Sequence, residues 1–192
     1  MVKGRLEAFS DGVLAIIITI MVLELKVPHG SSLQHLKPLI PIFFSYVLSF
    51  IYLSIYWNNH HHMLQSVEKV NGVALWANMH LLFWLSLIPF TTAWMGENHF
   101  AKWPIILYGV NLLMAAIAYY ILSVCLTKIQ GKDSTLEKAI GKDRKGIISI
   151  ILYILGICFT FFNTWIGFAF YVLVAAIWFI PDRRIEKKME DA

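Results

Sequence analysis

The chain has 192 residues, 58% of them hydrophobic and 15% charged, with a formal net charge of +4. A soluble domain carries nearer a quarter charged residues, so this composition excludes an ordinary water-soluble protein. Basic residues are not interleaved with exposed aromatic residues, so no nucleic-acid partner is predicted. No Walker, dinucleotide-binding, Ser/His/Asp or His-Glu-x-x-His pattern occurs. The sequence therefore predicts neither an enzyme nor a cofactor.

Charged residues gather in short clusters, and four long stretches between the clusters hold none: 38–67, 70–96, 103–127 and 146–181. A bilayer core needs about 20 apolar residues per helix. The first three stretches fit one helix each, and the last fits a hairpin that turns near 162–165. With the N-terminal segment, this pattern predicts an all-α integral membrane protein of one domain, residues 1–192. Its six transmembrane helices are predicted at 4–26, 38–63, 71–96, 102–128, 146–163 and 164–181.

Basic residues are distributed unequally between the two sides of this arrangement. With both termini on one side, 13 of the 16 Lys and Arg residues lie on that side, and only Lys26, Lys37 and Lys102 lie on the other. Cytoplasmic loops of membrane proteins carry the excess of basic residues. Both termini are therefore predicted to be cytoplasmic. Five spans would place the basic C-terminal tail outside, so that count is disfavoured.

The first span carries ionisable residues that a lipid-facing helix does not need. At roughly 100° per residue, one face of this helix forms a stripe within about 60° of Ile16. The stripe consists of Arg5, Phe9, Gly12, Ile16, Thr19, Ile20, Leu23 and Val27. Glu7 and Asp11 fall on the opposite side, and Ser10 flanks the stripe. A helix that lies between its own bundle and a symmetry axis would use both faces.

The stripe has two interpretations. Around a symmetry axis, its apolar residues would form stacked rings that gate ions by dewetting, with a hydroxyl ring from Thr19. Alternatively, the stripe is ordinary helix packing, which the pattern alone favours because such stripes are common in buried helices. Glu24, at the outer end of the span, belongs either to an acidic vestibule that concentrates cations or to a solvated helix end.

Arg5, Ser10 and Asp11 also have two possible roles. Asp11 is either an ion or proton site, or an anchor that pairs with Arg5 or with donors on the second and third helices. Asp11 points away from the stripe and Arg5 is close in sequence, so we favour the anchor. Removing one partner of a buried pair would leave an uncompensated charge, at a cost of about 3–5 kcal/mol.

Polar residues of the second and third spans are candidate partners for this anchor: Asn58, His60, Asn78 and His80. We expect one His and one Asn to hydrogen-bond the polar groups of the first span. His80 is expected to find an interhelical partner. The consecutive histidines at 60–62 point in three directions, so they are not expected to converge on one metal ion. No metal site is predicted.

Arg5, then Phe9-Ser10-Asp11 and an isoleucine-rich run, resembles the Arg-x-x-x-Phe-Ser-Asp signature of the transmembrane protein 175 family. Members of that family are potassium channels of bacterial membranes and animal endolysosomes. The resemblance implies that the motif, Arg5, Phe9, Ser10 and Asp11, anchors the pore helix to its neighbours.

The same resemblance assigns roles to the stripe. Ile16, five positions after the motif's Asp, would form the narrowest ring of the pore and act as gate and filter. Ile20 and Leu23 would form further constrictions, and Thr19 would contribute to the preference for potassium. The only bound species implied is a monovalent cation in the pore, with K⁺ as the permeant ion.

Assembly and location also follow from the resemblance. Animal relatives carry two six-helix repeats and form dimers, so a chain with one repeat is expected to form a homotetramer in the lipid bilayer, with the first helix lining a central pore. The chain length indicates a bacterial plasma membrane. The alternative is a proton- or ion-coupled secondary transporter, which needs a substrate site at a broken helix. Pro89, in the third span, is the candidate for such a break.

Overall fold

The computed structural model describes residues 3–131 and 144–179, and within these residues the protein contains helices and no strands. A 3₁₀ helix at Leu33–Leu39 precedes the second of seven α-helices. In chain order these are α1 Lys3–Leu23, α2 Ile40–Gln65, α3 Gly72–Ser86, α4 Ile88–Glu97, α5 Lys102–Gln130, α6 Arg144–Thr160 and α7 Thr164–Phe179. Because α3 and α4 occupy one predicted span, the predicted all-α class with six helices is confirmed.

Four helical stretches are long and apolar enough to cross a bilayer: Lys3–Leu23, Leu33–Gln65, Gly72–Glu97 and Lys102–Gln130. Two shorter apolar helices follow, Lys145–Thr160 and Thr164–Phe179. The predicted connector between the fourth and fifth spans and the basic tail lie largely outside the described residues. The six-span topology and its boundaries therefore stay predictions.

The third predicted span is broken in its middle. α3 ends at Ser86, α4 begins at Ile88, and Leu87 lies between them. Pro89 causes the break because it has no N–H to donate to Leu85 and its ring clashes with that carbonyl. The hydroxyls of Thr91 and Thr92 hydrogen-bond backbone carbonyls at the break, those of Leu87 and Ile88.

The core lies between α5 and the helices packed around it. Four tyrosines with almost no exposed surface, from four different helices, meet there: Tyr52, Tyr108, Tyr153 and Tyr171. Their ring centroids lie 6.1–6.5 Å apart. The Tyr52 hydroxyl donates to the carbonyl of Tyr171, which ties α2 to α7. Apolar side chains in a bilayer gain little by leaving lipid, so such packing and hydrogen bonds supply the cohesion.

α6 and α7 form the predicted hairpin. Asn163 lies in the turn between them, and its side-chain oxygen accepts from the backbone N–H of Trp165 at 2.9 Å. Gly167 allows the close approach of the two helices, since a Cβ at that position would lie 2.7 Å from the carbonyl oxygen of Gly156. Small residues at such crossings are typical of membrane helix pairs.

α1 lies at the edge of this bundle. It packs against α2, α3 and α4, whereas α5, α6 and α7 form the opposite part of the molecule. The helix ends at Leu23, before the predicted boundary at residue 26. This position leaves one face of α1 uncovered along most of its length, and the candidate site is built on it.

Candidate functional site

α1 buries one face and exposes the other. The buried residues recur every three or four positions, as the face of a helix requires: Leu6, Ser10, Leu14, Ile17 and Met21. The predicted stripe lies on the uncovered face, where Ile16 is 58% exposed, Ile20 43% and Leu23 74%. An isolated subunit therefore leaves the stripe largely exposed, and it is available to line an axis or meet another subunit.

Thr19 lies on the exposed stripe between Ile16 and Ile20. Its hydroxyl donates back to its own helix, to the carbonyl of Ile16 at 2.9 Å and that of Ala15 at 3.0 Å. A hydroxyl that donates in this way keeps its oxygen lone pairs for an outside partner. Thr19 can thus offer an acceptor oxygen on an otherwise apolar face.

A polar ladder fastens the N-terminal half of α1 to α2. It has three rungs: Lys3 Nζ donates to the carbonyls of Leu64 at 3.2 Å and Gln65 at 3.0 Å, Glu7 lies 3.3 Å from His61 Nδ1, and Asp11 accepts from Trp57 Nε1 at 3.0 Å. The rungs advance by four residues along each helix in opposite directions. Side chains four apart share a helix face, so one face of α1 meets one face of α2.

The aromatic residues of this ladder also support each other. The rings of Trp57 and His61 stack with centroids 5.8 Å apart, and Gln65 lies 2.7 Å from His61 Nε2. Asp11, predicted to pair either with Arg5 or with donors on neighbouring helices, pairs with the Trp57 indole of α2. Within residues 3–131 and 144–179, no ion pair joins Asp11 to Arg5, which is exposed.

Behind the ladder, a buried hydrogen-bonded chain connects three helices. His60 Nε2 lies 2.7 Å from Asn78 Oδ1, the Asn78 amide donates to Ser10 Oγ at 2.9 Å, and Ser10 donates to the carbonyl of Leu6 at 2.8 Å. His60, Asn78 and Ser10 are essentially inaccessible to solvent. Buried polar groups that satisfy one another in this way fix the register of the helices that carry them.

The remaining predicted residues lie elsewhere. Phe9 is half-exposed on the stripe side of α1. Asn58 borders a groove between α2 and α7, with no hydrogen bond to α1 in the part of the chain that the structure describes. His80 accepts from Trp84 Nε1 at 2.9 Å on its own helix, and among the described residues it has no hydrogen bond to another helix, contrary to expectation. Among the described residues, no group of three or more His, Cys, Asp or Glu is placed to hold a metal ion.

The C-terminal half of α1 borders a groove. The groove has a volume of about 670 Å³ and lies between α1 and the broken α3–α4 helix. Ile16 and Ile20 line one wall, and Pro89 and Phe90 line the other. Glu24 and Glu97 lie at its outer end, where Glu97 pairs with Lys26 at 3.5 Å.

Sequence reasoning missed three contacts of this site. The contact of Trp57 with Asp11, the contacts of Lys3 with α2 and the pairing of Glu7 with His61 were not predicted. A usable signal existed, because Lys3, Glu7 and Asp11 recur every four residues, as do Trp57, His61 and Gln65. Matching such patterns on consecutive antiparallel helices would have suggested the ladder.

Comparisons with known proteins identify the family of this chain. A family model described as "Endosomal/lysosomal potassium channel TMEM175" matches residues 5–89, which contain the buried chain, the stripe and all of the ladder except Lys3. A protein from a Chryseobacterium species, named as a potassium channel, is 60% identical over 100% of both chains. The chain belongs to the TMEM175 family. This confirms the resemblance seen in Arg5 and Phe9-Ser10-Asp11.

Other TMEM175 relatives extend the comparison. The crystal structure of a lysosomal potassium-selective channel TMEM175 homolog from Chamaesiphon minutus superposes with a TM-score of 0.79 at 25% identity, covering 94% of this chain and 97% of that one. A chicken protein named as the endosomal/lysosomal proton channel TMEM175 is 32% identical over 52% of this chain but only 22% of its own length. The family and these relatives are ion channels, and not enzymes.

Proposed function

We propose that this TMEM175 family member is the subunit of a potassium-permeable channel in which α1 lines the pore. One observation carries the proposal: α1 is fastened on its polar face, while Ile16, Thr19, Ile20 and Leu23 stay on a face that the described helices leave largely exposed. Relatives named as potassium channels, and the fold shared with a potassium-selective homolog, support the choice of ion.

The proposed gate is a set of apolar rings. Ile16 forms the narrowest ring, with Ile20 and Leu23 as further constrictions towards the outside. An apolar constriction opposes ions because a cation that enters it loses hydration and finds no ligand in exchange, and a narrow one also dewets. Thr19, with its free acceptor oxygen, supplies the nearest polar ring and contributes to the preference for K⁺. The constriction thus acts as both gate and filter.

The pore requires several copies of the chain. One subunit exposes a strip of large apolar side chains beside a groove of about 670 Å³, which a second copy would cover. The match covers 52% of this chain but 22% of the chicken relative, which is therefore more than twice as long as this chain. We infer a homotetramer in the lipid bilayer, with four α1 helices around one axis and monovalent cations as its transported partners.

The orientation follows from charge. The polar ladder lies at the end of α1 where the basic N-terminus begins, and the excess of Lys and Arg assigns both termini to the cytoplasm. The gate rings lie between that anchored end and the acidic outer end at Glu24 and Glu97. Relatives from bacteria support a bacterial plasma membrane as the location.

Ion flux into liposomes tests the proposal. Purified protein is reconstituted, and K⁺, Na⁺ and H⁺ fluxes are compared for the wild type, Ile16→Asn and a matched control, Ile151→Asn. Ile151 is 50% exposed on α6, far in sequence from the stripe, so it receives the same substitution at a similar exposure. We expect K⁺ flux above Na⁺ flux in the wild type and control, and loss of that preference in Ile16→Asn.

The alternatives give different results. A secondary transporter would show saturable, proton-coupled uptake that is indifferent to Ile16, and a structural protein would show no flux in any variant. Flux of protons alone, as the name of the chicken relative describes, would contradict the choice of potassium. Equal loss of preference in Ile16→Asn and Ile151→Asn would contradict the assignment of the filter to the stripe.

A further inference from the structure

The break between α3 and α4 interrupts a helix in the middle of an apolar span. In a continuous helix the N–H of Ile88 would bond the carbonyl of Trp84. Water does not reach such groups inside a bilayer, so each unsatisfied backbone group costs several kcal/mol. A broken helix at this depth therefore needs partners from neighbouring helices.

Asn111 of α5 supplies them. Its side chain is only 3% exposed and faces the break. In the amide orientation that satisfies both partners, the NH₂ group donates to Trp84 O at 2.9 Å and the amide oxygen accepts from Ile88 N at 3.3 Å. The amide thus stands between the two backbone groups that would otherwise bond each other. A side chain inserted into the helical ladder in this way is an established cause of a sharp kink.

Other polar contacts hold the first turn of α4 in place. Thr92 Oγ donates to the carbonyl of Ile88 at 2.6 Å and lies 2.6 Å from Ser49 Oγ of α2, which lies 3.0 Å from the Tyr108 hydroxyl of α5. These groups are uncharged and buried. The break is therefore fixed from α2 and α5 together, and α4 leaves it in a set direction.

The direction of α4 matters because α4 forms one wall of the groove beside the stripe. Pro89, Phe90 and Ala93 face this groove across from Ile16 and Ile20. An apolar ring widens only if its side chains or its helix move into free space, and the groove is such a space next to the proposed gate. If α4 swung towards α1, the groove would narrow.

We propose that Asn111 is a positioning residue for the gate. Its amide replaces the missing hydrogen bond between residues 84 and 88, holds the α3–α4 break open, and so keeps the groove wide enough for the stripe to retract. Asn111 does not touch the permeant ion in this role. The inference rests on the proposed channel function for its effect on gating, whereas its structural part does not depend on that function.

The structural part is tested by a double-mutant cycle on thermal unfolding in detergent. Asn111→Leu leaves the Ile88 N–H unpaired and the Trp84 carbonyl with only the Leu87 N–H at 3.3 Å, and we expect Tm to fall by about 5–10 °C. With Pro89→Ala as background, the helix can close its own bond between residues 84 and 88. There the same substitution is expected to lower Tm by less than half as much. Equal losses in the two backgrounds would overturn the bridging role. Asn59→Leu is the control, since that amide bonds only its own helix.

The gating part is tested by single-channel recording in planar bilayers. We expect Asn111→Leu to lower open probability by about tenfold while the K⁺ to Na⁺ permeability ratio stays unchanged. Pro89→Ala, which lets the helix close the break, is expected to restore none of this loss. An open probability within twofold of wild type, or a changed permeability ratio, would overturn the positioning role. A wild type that conducts no K⁺ would instead contradict the proposed function. The double-mutant cycle on thermal unfolding would still decide the role of Asn111 in the fold.

Discussion

The two halves of α1 are held by different forces. Up to Asp11, three ladder rungs and the buried Ser10–Asn78–His60 chain fasten the helix to α2 and α3. Beyond Gly12, no side-chain hydrogen bond or ion pair joins α1 itself to another helix in the part of the chain that the structure describes. Thr19 bonds only its own helix, and the remaining contacts there are apolar.

This difference assigns a fixed end and an adjustable end to one helix. Hydrogen bonds have a defined length and angle, so a polar contact fixes register, whereas apolar surfaces slide over each other at little cost in lipid. All four stripe residues from Ile16 to Leu23 belong to the adjustable half. Substitutions at α1 residues before Gly12 should therefore act mainly on the stability of the protein. Substitutions after Gly12 should act mainly on ion conduction.

The largest effect is expected at the centre of the fixed half. Asn78→Leu would leave Ser10 and His60 without their shared partner in the core, at about 2–5 kcal/mol in total for two buried polar groups. The measurement is thermal or chemical unfolding in detergent. His80→Leu is a matched control on the same helix, because His80 is half-buried and bonds only Trp84. Equal destabilisation by the two substitutions would break the claim that the buried chain anchors α1.

A smaller effect is expected at the outermost rung of the ladder. Trp57→Phe keeps the aromatic stack with His61 but removes the N–H that binds Asp11. Because this hydrogen bond is partly exposed to solvent, we expect a loss of about 1 kcal/mol, and not the 3–5 kcal/mol of a fully buried charge. Unfolding of Trp57→Phe is compared with that of Trp76→Phe, a well-exposed tryptophan of α3. A loss of more than 3 kcal/mol in unfolding free energy would show that the Asp11 carboxylate is shielded from water and bound strongly to the neighbouring helices.

The sequence predicted which residues share a face of α1 better than it predicted which residues of other helices contact that face. Rotation per residue is a property of any regular helix, so Ile16, Ile20 and Leu23 could be separated from Asp11 without knowing the neighbouring helices. Which polar residue of α2 meets Asp11 depends on the register between two helices, which one sequence does not contain. Thus two of the four predicted candidates, His60 and Asn78, belong to the buried chain. The other two, Asn58 and His80, do not, and Trp57 was not predicted.

The break in the third span shows the same limit. Pro89 predicts a kink from the sequence alone, because the loss of a backbone N–H depends only on that residue. Asn111 lies 22 residues later in sequence. Its contact with the break becomes visible only when the position of α5 is known, and from sequence alone it resembles an ordinary residue of a helix interface. Long-range satisfaction of backbone groups is a property of the assembled bundle, and no local pattern indicates it.

Two ion pairs, one near each end of α1, give a further test of the difference between its two halves. A double-mutant cycle with Glu7→Gln and His61→Gln should give a coupling of about 0.5 kcal/mol, since both side chains are partly buried and form part of a network. The matching cycle with Lys26→Gln and Glu97→Gln should give about 0–0.2 kcal/mol, because that pair is more exposed. A stronger coupling at the outer pair would contradict a fixed cytoplasmic end.

The smallest effect is expected at the outer mouth, where Glu24 borders the groove but makes no ion pair among the described residues. A carboxylate there raises the local cation concentration without setting which ion passes. Glu24→Gln should lower K⁺ conductance by about twofold at an ionic strength near 0.01 M and leave it unchanged near 1 M, where the Debye length falls to about 3 Å. Glu68→Gln, on the cytoplasmic side, serves as the control when only the outer solution is diluted. An effect that survives high salt would mean that Glu24 binds the permeating ion directly, and the adjustable half of α1 would then contain a polar ion site in addition to its apolar rings.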